Sequence, residues 1–493
     1  MENAIGEILV VPFFGQGHVL PLTELCKKLS SFNFKTTFIL SSDSSSSISS
    51  SLVHHPLVSV TDVDAPIPPP PRPEIKFDPQ PIMMHYKQMR QGVESILTSY
   101  CKNNNNVTKN NKLKIVCAIV DIMILPYFGD VFTKFQVPIV AFSPFSAASL
   151  AMDYAAWKAD VEFIIPGETR FLPGLPDEMA MDYGDIVRRY YGSSEEPLIG
   201  TLIGTKKKSF PTQPGDEPVW VQEVKVTSAI LVNTYDVLEH TFLEYLAKQT
   251  RLPIYGIGLL PEKFWSLTST KSLIHDKEIR TINNSSQKSN YSEDEVLNWL
   301  NTKSPNSVIY ISFGSELLPT LQEHEEISKA LVELSSQNFI WVISKNQDYY
   351  PNGLENKVGN RGLIIHGWAP QLLILSHPST GGCLFHCGWN STMEAIGQGV
   401  PLLAWPIRGD NFYNAKSIVC HLKIGYMVSS IRENIGLKKV KKNEIIQGIK
   451  RLLEDKQVHN RVKELSDKFG SANFPVGSIA NLHDFKDFIM QAK

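Results

Sequence analysis

Short apolar runs rich in β-branched residues, each closing near Gly, Pro or Asp, alternate along this chain with longer segments whose apolar residues recur every three or four positions. In the first half the runs fall at 8–13, 35–40, 113–120, 138–142 and 229–233. A second series follows at 308–312, 339–343, 363–366, 383–386 and 402–405. The runs are nearly continuous rather than alternating, as strands covered on both faces must be, and the intervening periodic segments supply crossover helices. This predicts an α/β fold of parallel sheets. At 493 residues the chain exceeds one ordinary core, so the two series are expected to be two domains. The Ser-, Thr-, Asn- and Lys-rich stretch 266–290 has linker composition. After it, Ser292 and Glu295 form a capping box ahead of Val296, Leu297, Trp299 and Leu300. Expected boundaries are 1–256, 257–470 and a closing segment 471–493, in which Ile479, Leu482, Phe485, Phe488 and Ile489 are spaced for an amphipathic helix. The Pro-rich stretch 66–81 and the Asn-rich stretch 103–111 are expected to be exposed loops.

Charge narrows the partners. Lys and Arg total 48 against 50 Asp and Glu, which leaves no field to hold a polyanion or an acidic membrane. The most apolar stretch, 115–128, is interrupted by Asp121 and Pro126 and is shorter than the ~20 residues a membrane helix needs. Met1, Glu2 and Asn3 do not open a basic region followed by an apolar one, so a cytosolic chain is expected. Cys26, Cys101, Cys117, Cys383, Cys387 and Cys420 lack the spacing of a disulfide framework, and Cys383 and Cys387 around His386 lack a second ligand pair at zinc spacing. Reduced core thiols and no metal are expected.

Several constellations carry chemistry. Phe14-Gly15-Gln16-Gly17-His18 lies between the first strand and a helix expected to open near Leu20, with Pro21 in its first turn. The glycine pattern lacks the third glycine of a dinucleotide fingerprint, and the first acidic residue beyond the second strand is Asp43, preceded by Ser41 and Ser42. His18 stands at the strand's carboxyl end, where ligands sit in open α/β sheets, and imidazole is readily poised as a base; its bland alternative is to brace the turn. Asp121 ends the strand 113–120 at the same sheet edge, as a partner for His18 or as a cap for the next turn. In the second half, His386 leads into Cys387, Gly388, Trp389, Asn390 and Ser391 and a helix carrying Thr392, Glu394 and Ala395. Amides and dipole at such a helix start suit a diphosphate, while Glu394 suits ribose hydroxyls, unless it merely forms a capping box with Ser391. Trp368, Ala369, Pro370 and Gln371 offer an indole for stacking, or a core tryptophan. Gly314 and Ser315 form another turn suited to phosphate.

The stretch 368–411, WAPQLLILSHPSTGGCLFHCGWNSTMEAIGQGVPLLAWPIRGDN, resembles the signature of plant secondary-product UDP-glycosyltransferases, family one. The likeness extends to the His18 turn, Asp121, the turn at 312–315 and the terminal helix. It implies the GT-B fold, two Rossmann-like domains facing across a cleft with the last helix packed on the first. It further implies that Trp368 stacks on uracil and Ala369 meets it through backbone. Gln371 belongs to the same donor set; His386, Asn390 and Ser391 hold the diphosphate, with Gly388, Gly314 and Ser315 beside it. Glu394 holds ribose, and Trp389, Asp410 and Asn411 face the sugar. His18 is then the general base and Asp121 its partner, so that an acceptor oxygen displaces UDP with inversion. Departure of UDP is helped by the helix start and by charge stabilisation from His386, without metal.

Two positions depart from the family. Asn411 stands where Gln is usual in enzymes using glucose and His in some using galactose; it is shorter by one methylene, about 1.5 Å of bond length. Pro144, within Ser143-Pro144-Phe145-Ser146, stands where a hydroxyl near the sugar is common, leaving Ser143 or Ser146 as substitutes. The expected function is transfer of a sugar, glucose by resemblance, from a UDP-sugar co-substrate to a hydroxyl of a small phenolic, flavonoid or terpenoid acceptor. The expected enzyme is a monomer with no bound cofactor. The competing readings are an NAD-dependent oxidoreductase and a non-catalytic nucleotide-sugar-binding protein.

Overall fold

The computed structural model of the chain describes residues 4–52, 55–68, 80–105, 113–186, 189, 216–260, 264, 267–268, 272–276, 289–314, 318–344, 349, 351, 353–428, 440–470 and 476–491. It divides into two compact units. The first comprises Met1–Lys158, Glu196–Leu260 and Val476–Lys493; the second comprises Ala159–Glu195 and Pro261–Pro475.

In the first unit the strands are β1 (Gly6–Val11), β2 (Phe34–Ser41), β3 (Val58–Val63), β4 (Ile115–Asp121) and β5 (Ile139–Ser143). A short antiparallel pair, β6 (Thr169–Arg170) and β7 (Met181–Asp182), follows within the segment that groups with the second unit. β8 (Ala229–Val232) and β9 (Ile254–Gly256) complete the first sheet. Its order is β3-β2-β1-β4-β5-β8-β9, all parallel. β3 and β9 escape the apolar-run criterion for different reasons. β3 carries Ser59, Thr61 and Asp62 on a half-exposed edge, and β9 has only three residues.

The second unit holds β10 (Val308–Ser312), β11 (Asn338–Ile343), β12 (Gly362–His366), β13 (Thr380–Phe385), β14 (Leu402–Ala404) and β15 (Gly425–Met427), ordered β12-β11-β10-β13-β14-β15. Counted from its own first strand this is the doubly wound order 3-2-1-4-5-6, and the first unit has the same order with a seventh strand, β9, beyond β8. Each sheet therefore reverses its winding between its first and fourth strands: β1 beside β4, with Val11 opposite Val120, and β10 beside β13, with Ser312 opposite Phe385. At such a switch point the crossover helices leave in opposite directions and a crevice opens at the strands' carboxyl ends.

Some expectations need correction. The helix after β1 spans Gln16–Ser31, with Gly15 as an extended N-cap, so His18 lies in its first turn and Pro21 inside it. Asn103, Asn104 and Asn105 finish the helix Gln80–Asn105, and Pro81 lies in its first turn; 69–79 and 106–112 fall outside the described residues. Within the expected linker, Ile274 and Asp276 are fully buried, and Asp276 accepts the amides of Leu372 and Leu373 at 2.8 and 3.1 Å. The helix Val476–Gln491 buries Leu482, Phe485 and Ile489 in the first unit's core, and Asn481 donates to the carbonyl of Gly256 at 2.8 Å. At ~1.5–3 kcal/mol per buried side chain, these three make the last helix an integral part of that unit.

Candidate active site

In the first unit His18 and Asp121 meet. Nδ1 of His18 lies 2.8 Å from Oδ2 of Asp121. The aspartate is fully buried, and its Oδ1 accepts the amide of Met123 at 3.0 Å, which fixes the carboxylate. An ionised carboxylate accepts only, so Nδ1 must carry the proton, and in the neutral ring Nε2 keeps its lone pair. The histidine arrives through its turn: its amide donates to the carbonyl of Gly15 at 3.0 Å, which closes the first turn of the helix. Aromatic side chains surround it. Phe13 lies 4.7 Å away between ring centroids, and Phe145 meets it edge-on at 5.7 Å. Phe14, His85, Tyr86 and Tyr127 continue the cluster. The arrangement provides a base beside apolar, flat surfaces.

Ser143 and Ser146 are fully buried, and both hydroxyls serve the backbone: Ser143 accepts from the amide of Phe145 at 3.3 Å and Ser146 from that of Ser149 at 2.9 Å.

In the second unit β13 ends at Phe385, and Cys387 turns the chain with φ +66°, a left-handed conformation costly for a residue with a side chain. The turn is braced: Asn414 donates to the carbonyl of Cys387 at 2.9 Å and to Oδ2 of Asp410 at 2.8 Å. Gly388 is the N-cap of the helix Trp389–Gly397 and brings no capping side chain to its first turn, where Trp389, Asn390 and Ser391 lie. The His386 ring sits against two glycines. A Cβ at Gly388 would come 2.5 Å from Nε2, and one at Gly314, whose φ is +75°, 3.0 Å from Cε1. His386 Nδ1 is buried without a hydrogen-bond partner. Burial pushes its pKa down to about 4, so in the ligand-free protein its ring is neutral.

Gln371 and Glu394 form one network. Nε2 of Gln371 donates to Oε2 of Glu394 at 2.7 Å and to Oγ of Ser391 at 3.0 Å, while Tyr310 donates to its Oε1 at 3.2 Å. The side chain of Gln371 thus orients Glu394 and Ser391, and the capping box once considered for that pair is absent. Trp368 is half-buried after Gly367, which has φ +100°, and Ala369 is buried. Asn411 is 2% exposed, and with its amide oriented to satisfy both ends Nδ2 donates to the carbonyls of Arg408 and His386 at 3.0 and 3.3 Å. Asp410 precedes it as N-cap of the helix Asn411–Lys416. Ser315 lies outside the described residues. Among the described residues no group of three or more His, Cys, Asp or Glu is placed to hold a metal, and no helix is long and apolar enough to cross a membrane.

The sequence reading missed Asn414, Asp276 and Glu239. Asp276 left no local signal, because its partners lie 96 or more residues away, and the local pairing of Asn414 with Asp410 does not reveal its reach to Cys387 27 residues back. Glu239 did leave one. It falls three, four and seven residues before Phe242, Leu243 and Leu246, a carboxylate on an apolar stripe.

Comparison with known proteins places the chain in a family. Residues 257–470 match the family described as UDP-glucoronosyl and UDP-glucosyl transferase. A scopoletin glucosyltransferase of Nicotiana tabacum is 32% identical over 356 residues, covering 70% of this chain and 69% of its own. A Glycyrrhiza uralensis UDP-glycosyltransferase, solved with glycyrrhetinic acid 3-O-monoglucuronide, superposes with a TM-score of 0.77 at 23% identity, over 99% of this chain and 96% of its own. One from Phytolacca americana, solved with UDP-2fluoro-glucose and pterostilbene, gives 0.72 at 22% identity, over 98% and 100%. With two doubly wound units and this conjunction of residues, the chain belongs to the plant family-one UDP-glycosyltransferases, enzymes of the GT-B fold.

Proposed function

We propose that this glycosyltransferase moves glucose from UDP-glucose to a hydroxyl of a small lipophilic acceptor, inverting the anomeric centre, with His18 as general base. The observation that carries this reading is the 2.8 Å contact between His18 and the buried Asp121 at a sheet's switch point. With Nδ1–H held by Asp121, Nε2 takes the proton of the acceptor hydroxyl as its oxygen bonds to the anomeric carbon and the bond from that carbon to UDP breaks. The carboxylate stabilises the imidazolium that forms, and a base so placed contributes roughly 10²–10⁴-fold. In the second unit the first turn of the helix Trp389–Gly397 offers amides and dipole to the diphosphate, and His386 adds a hydrogen bond from a site built without a counter-charge. Glu394, oriented by Gln371, accepts from ribose hydroxyls, and Trp368 and Ala369 receive uracil. Asp410 and Asn411 meet the sugar.

The acceptor class follows from the aromatic cluster beside His18, and the tobacco relative's scopoletin and the pterostilbene in the Phytolacca americana complex support it. The glucose assignment leans on the relative's name as a glucosyltransferase. We read the enzyme as cytosolic, monomeric and without a resident cofactor. The test is UDP release from UDP-glucose over a panel of phenolic, flavonoid and triterpenoid acceptors, with conjugates identified by mass spectrometry and the anomer by proton coupling. Tight NADH binding without UDP binding would replace this reading by an oxidoreductase. UDP binding without turnover on any acceptor would favour a nucleotide-sugar-binding protein.

A further inference from the structure

Glu239 is a carboxylate where an apolar residue belongs. It is 1% exposed, between Leu238 and Phe242 on the buried side of the helix Asp236–Thr250. The backbone breaks its helical conformation at this residue, with φ −136° and ψ 24°. The kink contains neither Pro nor Gly, and it coincides with a side chain turned to a neighbouring helix. Its two oxygens accept the amides of Ala147 and Ala148 at 2.7 and 2.9 Å, the first two residues of the helix Ala147–Lys158. The carboxylate therefore caps a helix 91 residues away in sequence, against the positive end of its dipole. Burial raises the carboxyl's pKa to about 7, so desolvation of this group has been tolerated for the sake of that contact.

The capped turn leads back to the base. Immediately before Ala147 come Phe145 and Ser146, on a tight turn closed by the Ser143 and Ser146 hydroxyls. Phe145 stands edge-on to His18, at an interplanar angle of 90°. Asp121 holds one nitrogen of the imidazole, and the rings of Phe13 and Phe145 bound its rotation; of these two, Phe145 is the one set by the capped turn.

We propose that Glu239 is a positioning residue for catalysis, which pins the start of the helix Ala147–Lys158 and so holds Phe145 against His18. This rests on the reading of His18 as the base. Glu239→Gln keeps one acceptor oxygen but faces an amide with a second donor; Glu239→Asp is too short to reach both amides. With UDP-glucose and an acceptor active in the panel, Glu239→Gln is expected to lower kcat roughly 10–100-fold, since small misplacements of a catalytic group cost about that much. The KM for UDP-glucose should stay close to that of the wild type, and the melting temperature should fall by only a few degrees, leaving the enzyme folded at the assay temperature. Phe145→Leu, which keeps the bulk and removes the ring edge, should lower kcat as well, and the double variant should be little worse than either single one.

Proton NMR of the His18 ring supplies a readout that needs no acceptor. Its Hε1 resonance, assigned by its loss in His18→Ala, should move in Glu239→Gln and in Phe145→Leu. A stationary resonance, fully additive effects on kcat, or a loss of kcat only in step with a fall in melting temperature would overturn the proposal. A moving resonance in a protein that turns over no acceptor would uphold the positioning and sink only the choice of base.

Discussion

His18 and His386 each lie at the switch point of a sheet of the same winding, one after its first strand and the other after its fourth, yet their surroundings make them different reagents. Each follows a carboxyl strand end at a switch point, His18 after β1 and His386 after β13. His18 has a buried carboxylate on Nδ1. His386 has an unpartnered Nδ1, two glycines where side chains would crowd it, and a pKa depressed to about 4 by burial. A carboxylate neighbour equips an imidazole to receive a proton and hold the charge, whereas a desolvated pocket keeps it neutral until an anion arrives. The fold supplies the same edge twice, and the neighbours decide the chemistry.

The sharpest way to break this comparison is to exchange the losses. His18→Ala should reduce transfer by roughly 10²–10⁴-fold while leaving the dissociation constant of UDP, read by calorimetry, as in the wild type. Unchanged turnover would remove His18 from the mechanism. His386→Ala should do the reverse, weakening UDP by roughly 10–100-fold, the range of a hydrogen bond to a charged partner. A UDP affinity equal to the wild type's would deny His386 the diphosphate.

Smaller effects come from pH. His386 and the buried His324, stacked on Tyr349 and Trp341, both have pKa values lowered from 6.5 to about 4 by burial. Between those values the unfolded chain binds protons that the folded chain does not, so stability is retained above pH ~6.5 and declines as pH falls toward ~4. Thermal denaturation across that window should show the decline, and saturating UDP should lessen it, because a bound diphosphate favours the charged His386. An equal decline with and without UDP would separate His386 from the ligand. The smallest effect is expected at Asn411, whose amide nitrogen is already held by two backbone carbonyls. Asn411→Gln restores reach and should shift the ranking of UDP-glucose against UDP-galactose by a few-fold, about 1 kcal/mol. Identical rankings of a UDP-sugar set would show that this position does not read the sugar.

Much of this was legible in the residues. The apolar runs gave the parallel strands, because a strand covered on both faces has no polar face to alternate. The signature 368–411 supplied the proposed donor set, because phosphate and base recognition would use residues close together in one strand–turn–helix stretch. The edge strands β3 and β9 were hidden by polarity and by brevity. So was the packing of Asp276 on the helix Gln371–Ser376, inside a stretch with the composition of a linker.

By itself the sequence determined the α/β class, the two strand series, and the residue types available at each strand end, since these depend on periodicity and local chemistry alone. Strand order is a matter of tertiary structure, and only that order set β4 beside β1 and brought Asp121 to His18 across 103 positions. The same holds for the neutrality of His386, the use of Gln371 to orient Glu394, and the reach of Glu239 to Ala147. Each depends on desolvation and on partners distant along the chain, and neither is encoded in the neighbourhood of the residue itself.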